Sequence, residues 1–243
     1  MVRDGIVAAL DVGTTKVCCF IAELNESGQL RVTGIGHHAS AGVKAGSIVD
    51  METAETSIRA AVHAAEKMAG ITIRQVVASI SGGRPASNAI ERKLSIGNSA
   101  ISDDDMRRLF NDIRLLQLEP HRVLVHVIPT AYGIDGSNGI RDPRGLHGMT
   151  LGVNLHLVTI DESAARNLDT GISRCHLDLS ELVISPYASG LACLVEDEMN
   201  LGATVIDMGG GMTTIAVFYD GSAVFTDSIP FGGANVTNDI ARG

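Results

Sequence analysis

Three short apolar runs open the chain, and polar joints rich in turn-forming residues separate them. The runs cover Ile6–Leu10, Val17–Leu24 and Leu30–Ile35, and the joints cover residues 11–16 and 25–29. Short β-prone runs bounded by Gly, Asn, Asp and Ser are typical of strands joined by turns. The start of the chain therefore predicts a three-stranded meander.

A helical period replaces this pattern after a glycine-rich stretch. Asp50 is a suitable N-cap and Gly70 a suitable stop, and the apolar positions between them recur at helical spacing. Those positions are Ile58, Val62, Ala65 and either Met68 or Ala69. A buried strand over Ile73–Ile80 follows, so the meander, helix and strand together predict an α/β layer.

The pattern changes at residues 81–85, where Ser-Gly-Gly-Arg-Pro interrupts any regular element. Beyond this break, Ser102 and Asp105 have the spacing of a capping box, which predicts a helix that runs to Leu116. The other predicted elements are strands over Ala86–Ile96, Val123–Ile128 and Leu151–Ile160, a loop over residues 135–148 and a helix over Glu162–Cys175. This order predicts a compact α+β subdomain inserted at residues 83–161.

The last part of the chain returns to the earlier pattern. A short strand over Leu182–Ser185 precedes a helix from Pro186 to about Met199, because proline suits the first turn of a helix. Residues 205–218 then read VIDMGGGMTTIAVF, with one acid and three glycines between two apolar runs. We expect one discontinuous lobe from residues 1–82 and 162–199, and the start of a second lobe over residues 200–243.

The two ends of the chain repeat one plan. Residues 6–36 and 204–233 each place an Asp-x-Gly bend between apolar strands, and a glycine-containing turn before a third strand. In this alignment Asp11 matches Asp207, Gly13 matches Gly209, Thr14 and Thr15 match Gly210 and Gly211, and Gly28 matches Gly221. The repetition predicts two halves of one architecture.

Three consecutive glycines need a physical reason, because glycine loses the most backbone entropy on folding. A tight hairpin turn is one possible reason, and a phosphate cradle is another. Bends of small residues expose backbone N–H groups that bind anions, and a neighbouring carboxylate can hold the water shell of Mg²⁺. One Asp-x-Gly-Gly-Gly motif is weak evidence, whereas two copies in matching strand contexts favour a two-sided phosphate clamp.

Other glycine motifs do not account for the chain. Neither the P-loop pattern nor the Gly-x-Ser-x-Gly of serine hydrolases occurs. Residues 34–39 fit Gly-x-Gly-x-x-Ala, but the loop-like residues 40–46 follow where a dinucleotide-binding fold would begin a helix. We interpret that match as chance.

Composition narrows the classes of function. The chain has 243 residues, of which 45% are hydrophobic and 19% charged, as expected for a globular protein with more than one domain. Its net charge of -9 disfavours a nucleic-acid partner. No apolar run reaches the roughly 18 residues of a membrane span and no signal-peptide layout is present, so we expect a cytoplasmic compartment.

Cysteine and histidine spacings match no metal or redox motif. The four cysteines, Cys18, Cys19, Cys175 and Cys193, lack C-x-x-C spacing, and we interpret them as reduced core residues. The eight histidines include the pair at residues 37–38 but no H-E-x-x-H. We therefore expect these residues to serve packing or the surface, and not a metal site.

Three segments in order resemble motifs of the actin/Hsp70/sugar-kinase ATPase superfamily. Asp11–Val17 resembles its first phosphate motif, Leu182–Leu194 its connecting helix and Val205–Phe218 its second phosphate motif. The sequences DVGTTKV, ASG at residues 188–190 and DMGGGMTTIAV are similar to the FtsA family of bacterial cell-division proteins. Residues 82–161, with their DPRGLHG loop, resemble the subdomain inserted in that family. The resemblance covers essentially the whole chain and implies an actin-like, ribonuclease H-like α/β core.

The resemblance also implies a site for ATP and Mg²⁺ between two lobes. Asp11 and Asp207 would hold the water shell of Mg²⁺, and Lys16 would offer a positive charge to the phosphates. Backbone N–H or hydroxyl groups would come from Gly13, Thr14, Thr15, Gly209, Gly210, Gly211 and Met212, and the pair Gly232–Gly233 would lie near the nucleotide.

Two departures from the superfamily change these expectations. Ser185 stands before Pro186, where relatives place a carboxylate or an amide that orients the attacking water. A serine hydroxyl is a poor general base without a partner, so we expect at most slow ATP hydrolysis and assign no catalytic residue. The chain also stops at Gly243, before the adenosine-binding loop, FtsZ-binding subdomain and C-terminal membrane helix of the family, so we expect an amino-terminal fragment with an incomplete second lobe.

The leading hypothesis is an ATP-binding cell-division protein that polymerises like actin on the cytoplasmic face of the inner membrane, at the division septum. It would tether FtsZ filaments there and recruit later division proteins, with membrane contact through a helix beyond this chain. The alternative is a sugar-kinase-like or chaperone-like ATPase with the same core. A kinase would need a catalytic carboxylate near the cleft, which we could not assign from the sequence.

Overall fold

Fourteen strands and six helices make up the part of the chain that the computed structural model describes, residues 5–113 and 118–243. In chain order the strands are β1 (Ile6–Val12), β2 (Lys16–Leu24), β3 (Leu30–Ala39), β4 (Val43–Lys44), β5 (Ser47–Ile48), β6 (Gln75–Ile80), β7 (Ala86–Ala100), β8 (Arg122–Ile134), β9 (Ser137–Ile140), β10 (His147–Asp161), β11 (Asp178–Ile184), β12 (Ala203–Met208), β13 (Thr213–Tyr219) and β14 (Ser222–Ile229). The helices are α1 (Met51–Ala69), α2 (Asp103–Ile113), α3 (Glu162–Arg174), α4 (Ser185–Cys193), α5 (Glu196–Leu201) and α6 (Gly233–Arg242).

The first meander lies at one side of a five-stranded sheet with the order β11-β6-β1-β2-β3. β1, β2 and β3 pair antiparallel, whereas β6 pairs parallel with both β1 and β11. Buried residues of alternate strand positions, such as Leu10 and Ile21, pack against Ile58 of α1 and Ile172 of α3. The α/β layer is confirmed, but β1 continues through Asp11 and Val12, which the sequence analysis had placed in a joint.

Helix α1 begins and ends where the sequence predicts. The Asp50 side chain accepts hydrogen bonds from two backbone N–H groups of the first turn, and Gly70 follows the helix with a φ of 72°. Left-handed backbone of this kind favours glycine because it has no Cβ. Of the two alternatives for the last apolar position, Met68 is 65% exposed and Ala69 packs against the core.

Two glycines of β3 allow α1 to approach the sheet closely. A Cβ on Gly36 would lie 1.9 Å from the carbonyl oxygen of Ala61, and one on Gly34 would lie 2.3 Å from that of Ala65. Both glycines belong to the Gly-x-Gly-x-x-Ala match, and both lie within a strand. The interpretation of that match as chance is confirmed, although the residues that follow include the short hairpin β4-β5 and are not only a loop.

The middle of the chain forms a four-stranded antiparallel sheet, the inserted sheet, with the order β7-β10-β8-β9. Leu109 of α2 packs on the inserted sheet against Leu151 and Leu155. The loop predicted over residues 135–148 is wrong in part, because Ser137–Ile140 pairs with the end of β8 and β10 already begins at His147.

The predicted capping box opens α2. The backbone N–H of Asp105 donates to the Ser102 hydroxyl at 3.2 Å, and the backbone N–H of Ser102 donates to the Asp105 carboxylate at 2.9 Å. The Ser102 hydroxyl also donates to the Asp105 carboxylate, and this bond, followed by that from the Ser102 backbone N–H, lowers the pKa of Asp105. The predicted end of this helix at Leu116 lies outside the described residues.

The two ends of the inserted sheet lie side by side. The backbone N–H of Asp161 donates to the carbonyl oxygen of Gly83 at 2.8 Å. The Asp161 carboxylate accepts hydrogen bonds from Arg84 at 2.7 Å and from Arg122 at 2.9 Å. Those bonds hold the pKa of Asp161 below its usual value. The segment that forms the inserted sheet thus begins and ends at neighbouring points, between β6 and α3.

The helix predicted from Pro186 to Met199 is wrong, because two helices occupy this stretch. α4 ends at Cys193, and the next two residues have extended backbone before α5 begins. The Glu198 side chain accepts a hydrogen bond from the backbone N–H of Val195 at 3.0 Å, which caps a new helix instead of continuing the old one.

The second meander forms a three-stranded antiparallel sheet, β12-β13-β14. Its second turn places Asp220 at a φ of 49° and Gly221 at a φ of 78°, as in a two-residue hairpin. Gly28 has a φ of 77° in the corresponding turn of the first meander. The predicted repeat of two meanders is therefore confirmed at the level of strands and turns.

The cysteines differ in burial. Cys19 is fully buried, and burial is the main cause that raises the pKa of its thiol to about 12. Cys193 is exposed, so its interpretation as a core residue is wrong. Within the described residues, no helix has the length and apolar character that crossing a membrane requires.

Candidate phosphate-binding site

The two Asp-x-Gly bends face each other across a cavity of about 500 Å³. This volume lies within the usual range of small-molecule sites. Its lining residues are Asp11, Gly13, Thr14, Thr15, Lys16, Ser81, Ser185, Asp207, Met208, Gly209, Gly210, Gly211, Met212 and Thr214. The structure thus brings together every sequence-predicted site residue except Gly232 and Gly233.

The two bends have the same backbone hydrogen bond. The N–H of Gly13 donates to the carbonyl oxygen of Lys16 at 3.0 Å, and the N–H of Gly209 donates to that of Met212 at 2.8 Å. Each closes a turn between two antiparallel strands whose first member ends just after the aspartate. The two bends therefore repeat each other in hydrogen bonding as well as in sequence.

The glycines of the second bend are required by contact with the first bend. A Cβ on Gly210 would lie 2.3 Å from Cγ2 of Thr15, and one on Gly211 would lie 2.8 Å from Cγ2 of Thr14. Neither glycine has a positive φ. Close approach of the opposite bend, and not unusual backbone dihedral angles, therefore explains why two of these three residues are glycine.

Gly232 and Gly233 support the second bend from behind. A Cβ on Gly232 would lie 2.4 Å from the carbonyl oxygen of Gly209. The N–H of Gly233 donates to that same oxygen at 2.9 Å, and the N–H of Ala234 donates to the carbonyl oxygen of Gly210 at 2.9 Å. The start of α6 thus fixes the bend through its carbonyl groups, and the glycine pair does not line the cavity.

A serine from a neighbouring element fixes each aspartate. The Ser79 hydroxyl on β6 donates to Asp11 at 2.5 Å, and the Ser189 hydroxyl on α4 donates to Asp207 at 2.8 Å. Carboxylate oxygens suit Mg²⁺, which commonly keeps several waters and binds through one or two carboxylates plus substrate phosphates. Among the described residues, no group of three or more His, Cys, Asp or Glu is arranged to hold a metal directly. Two separated, oriented carboxylates fit a metal held through water.

Two buried hydroxyls in the cavity wall have no hydrogen-bond partner among the described residues. They belong to Ser185, which is 9% exposed, and Thr214, which is 1% exposed. An unsatisfied buried hydroxyl is costly, so both fit a polar ligand or water in the cavity. Ser185 is singled out by the sequence, whereas Thr214 was not predicted as a site residue. Strand alternation offers a signal for it, because Thr214 lies directly opposite Asp207 in the register of β12 and β13.

The first bend is also anchored to the loop region that follows β3. The N–H of Gly46 donates to the Thr14 hydroxyl at 3.1 Å, and the N–H of Ser40 donates to the carbonyl oxygen of Thr15 at 3.0 Å. Lys16 is exposed at the cavity wall and carries the only positive charge among the described residues that line the cavity. The first bend thus supplies hydroxyls and a cation, whereas the second supplies bare backbone.

Comparison with known sequences identifies a family. Residues 82–159 match the family described as the SHS2 domain inserted in FTSA, and residues 204–243 match the family described as cell division protein FtsA. Over 99% of its length the chain is 41% identical to the cell division protein FtsA of Agrobacterium fabrum. The chain belongs to the FtsA family. It is also 34% identical to FtsA of Bacillus subtilis and 33% identical to FtsA of Escherichia coli, over 100% and 97% of its length.

This FtsA-family chain spans about 57% of the length of the Agrobacterium fabrum relative and about 56% of the other two. Among solved structures it is similar to a PilM-PilN type IV pilus biogenesis complex, with a TM-score of 0.68 and 14% identity over 97% of this chain and 65% of that one. It is also similar to the ethanolamine utilization protein EutJ from Carboxydothermus hydrogenoformans, with a TM-score of 0.56 and 16% identity over 99% of this chain and 57% of that one. These similarities confirm the predicted actin-like α/β fold.

The titratable side chains that line the cavity of this FtsA-family chain are Asp11, Lys16 and Asp207. Both carboxylates are placed to hold a hydrated cation, and the lysine is placed to neutralise phosphate charge. Among the residues that the structure describes, no further carboxylate or histidine lines the cavity.

Proposed function

We propose that the cavity between the two bends binds the phosphates of ATP together with Mg²⁺. The observation that carries this proposal is the pair of matching bends, each with an aspartate fixed by a serine, on opposite walls of one cavity. Asp11 and Asp207 hold the water shell of the metal, and Lys16 balances the phosphate charge. Backbone N–H groups of residues 210–212 and the hydroxyls of Thr14 and Thr15 contact the phosphate oxygens, while the N–H of Gly209 closes the bend by donating to Met212.

The same cavity supports slow hydrolysis. Ser185 and Thr214 can hold a water by hydrogen bonds, but a hydroxyl accepts a proton poorly at neutral pH. ATP then acts mainly as a cofactor that holds the two lobes together. A sugar-kinase-like or chaperone-like ATPase is the alternative, and fast turnover would favour it.

At the level of the cell, we assign the protein the role that its family membership supports. It polymerises like actin on the cytoplasmic face of the inner membrane at the division septum, tethers FtsZ filaments and recruits later division proteins. Support comes from the similarity to FtsA proteins and from the match of residues 82–159 to the subdomain inserted in that family. Membrane contact would come from sequence outside this chain.

The decisive experiment is calorimetric titration of ATP into the protein extended to the length of its relatives. Asp207→Ala and Asp11→Ala should each weaken binding in Mg²⁺ by at least ~10-fold, which corresponds to ~1.4 kcal/mol. The loss should shrink when EDTA removes the metal, because both carboxylates act through it. Asp239→Ala is the matched control, since Asp239 is an exposed acid on α6 that does not line the cavity. Unchanged affinity in both variants would contradict the proposal.

Steady-state turnover separates the two candidate functions. We expect ATP hydrolysis far slower than ~10 s⁻¹, a typical enzyme rate. A rate near that value would favour the kinase or chaperone alternative, and Ser185→Ala and Thr214→Val would then test which hydroxyl positions the water.

A further inference from the structure

Two histidines of the inserted sheet, one half-buried and one buried, do not line the cavity. His126 lies on β8 and His156 on β10, and in the antiparallel register His126 is opposite Val158 while His156 is opposite Ile128. The two histidines are therefore diagonal neighbours on the same face of the sheet. This face is turned toward both lobes, because each histidine bonds to a different one.

His126 is attached to the first lobe. Its Nε2 accepts a hydrogen bond from the backbone N–H of Ile184 at 3.0 Å. Ile184 is the last residue of β11, and Ser185 of the cavity wall follows it as the first residue of α4. The His126 ring also contacts the ring of Tyr187, also on α4, with centroids 4.9 Å apart. His126 thus holds the strand-to-helix corner that places Ser185.

His156 is attached to the second lobe and is 1% exposed. Its Nδ1 bonds to the carbonyl oxygen of Ala223 at 2.9 Å, and its Nε2 bonds to the Ser87 hydroxyl at 2.6 Å. A carbonyl oxygen only accepts, so Nδ1 carries the proton and Nε2 accepts from Ser87. The Ser87 oxygen in turn accepts from the N–H of Thr226 at 3.3 Å. Both bonds hold β14 against the inserted sheet.

The two attachments close into a ring, which we call the histidine junction: His126, Tyr187, Phe218, Ala223 and His156. Tyr187 of α4 stacks on Phe218 of β13, with centroids 6.2 Å apart and planes at 8°. Phe218 is paired with Ala223 in the hairpin of β13 and β14. α4 and β13 are packed closely here, because a Cβ on Gly190 of α4 would lie 2.2 Å from the ring of Phe218. First lobe, second lobe and inserted sheet therefore meet in one packed cluster.

The histidine junction holds the elements that carry both sides of the cavity. α4 bears Ser185 and also Ser189, whose hydroxyl fixes Asp207 of the second bend. β13 begins directly after that bend. Burial lowers the pKa of both histidines, that of His126 to about 4, so each is neutral near pH 7 and able to accept the bond it makes.

We infer that His126 is a positioning residue for the nucleotide cavity, and that the inserted sheet controls nucleotide affinity through the histidine junction. The inference rests on the proposed function, because it concerns the affinity of that same site. A partner that tilts the inserted sheet would displace Ile184, then α4, and with it the hydroxyls that line the cavity and fix Asp207. The reverse effect follows by linkage, since nucleotide binding must favour the same position of the sheet.

The test compares His126→Leu with His126→Gln in the protein extended to the length of its relatives. Leucine removes the acceptor for Ile184, whereas glutamine keeps an acceptor of similar reach. Calorimetry should show ATP binding about 10-fold weaker for His126→Leu, a loss of ~1.4 kcal/mol, and near the wild-type value for His126→Gln. His147→Leu is the matched control, because His147 is an exposed histidine of the same sheet.

Hydrogen exchange measured without nucleotide tests the link from His126 to the cavity independently of ATP binding. His126→Leu should speed exchange at residues 184–190 and at the bend of residues 209–212, and His126→Gln should not. If wild type fails to bind ATP while this exchange pattern appears, the proposed function fails and the mechanical link from His126 to the cavity stands. If exchange in the bend and ATP affinity are both unchanged in His126→Leu, or if glutamine restores neither, the inference is overturned.

Discussion

The two meanders share a backbone plan and differ in where glycine is needed. In the first meander the crowded glycines are Gly34 and Gly36 of β3, where the backbone of α1 leaves no space for a Cβ. In the second they are Gly210 and Gly211 of the bend, where Thr14 and Thr15 of the first meander leave no space. The hydrogen bonds of the bend are repeated, while the side chains are complementary. Because the first bend carries two threonines, the second must lack side chains for the two bends to come this close.

The two meanders also differ in how they are supported. Leu10, Cys19 and Ile21 of the first belong to a core that α1 and α3 complete. The second contributes a small buried cluster, Ala216, Phe218 and Ala223, which packs against residues of α4, α5 and the inserted sheet. The second meander is therefore packed mainly by α4, α5 and the inserted sheet, whereas the first has α1 and α3.

The largest expected effect comes from the packing glycines of the first meander. Gly36→Ala should destabilise the fold by ~3 kcal/mol, near the upper end of overpacking changes, because a Cβ would meet a backbone oxygen that has no room to move. The unfolding midpoint in urea measures this change. Gly152→Ala is the control, since the nearest atom to its added Cβ would be 3.7 Å away. Equal midpoints for the two variants would contradict the close approach of α1.

A smaller effect on stability, but a specific one on binding, should follow from Gly210→Ala. The added Cβ meets Thr15, so the bends separate and ATP affinity should fall about 10-fold, or ~1.4 kcal/mol. Thr15→Gly in the same chain should restore part of that affinity, because it removes the atoms in conflict. Gly209→Ala should cost less, since its Cβ would lie 3.3 Å from the nearest atom. Strict additivity of Gly210→Ala and Thr15→Gly would show that the two residues do not meet.

The smallest effect should be a loosening of the second meander in mild acid. His126 is neutral in the fold until its pKa of about 4, whereas in the unfolded chain it takes up a proton near its ordinary value of 6.5. Between these values the unfolded state binds more protons, so stability is lost as the pH falls from about 6.5 toward 4. The charge of His156 also lowers the pKa of His126, which couples the two.

Hydrogen exchange at pH 7.5 and pH 5 measures this loosening. Residues 213–229 should gain more exchange than the first meander, after correction for the intrinsic pH dependence of exchange, and His126→Gln should reduce the difference. The lowered pKa values of Asp105 and Asp161 do not interfere, because the stability they contribute is lost only below the ordinary carboxyl value of 3.8. Equal increases in hydrogen exchange in the two meanders would contradict the expectation that the second is loosened more than the first.

Local signals account for what could be predicted from the sequence. Strand alternation, the cap at Asp50, the turn at Gly28 and the two Asp-x-Gly bends are all encoded within a few neighbouring residues, and their elements formed where expected. The break between α4 and α5 was missed because it depends on the Glu198 side chain reaching back to Val195. A helical period does not reveal that competition.

Residues that act across long sequence separations could not be predicted in the same way. Ser79 and Ser189 meet their aspartates only after the strands are assembled. Ser189 belongs to the ASG motif, but its neighbours in sequence do not identify Asp207 as its partner. The position of Gly232 and Gly233 behind the bend likewise depends on where α6 begins. Sequence patterns therefore predicted the walls of the cavity but not the contacts that hold those walls in place.

The hydrogen bond between Asp161 and Gly83 has a consequence for the evolution of the family. Because the inserted segment enters and leaves at neighbouring points, it can be exchanged as a cassette without altering the spacing of β6 and α3 around it. The residues that bond to the rest of the molecule, among them Ser87, His126 and His156, must be carried along or replaced in kind. Sequence differences among relatives should then accumulate on the face of the inserted sheet that lies away from His126 and His156. The two histidines and the residues that bond to them should be substituted together or not at all.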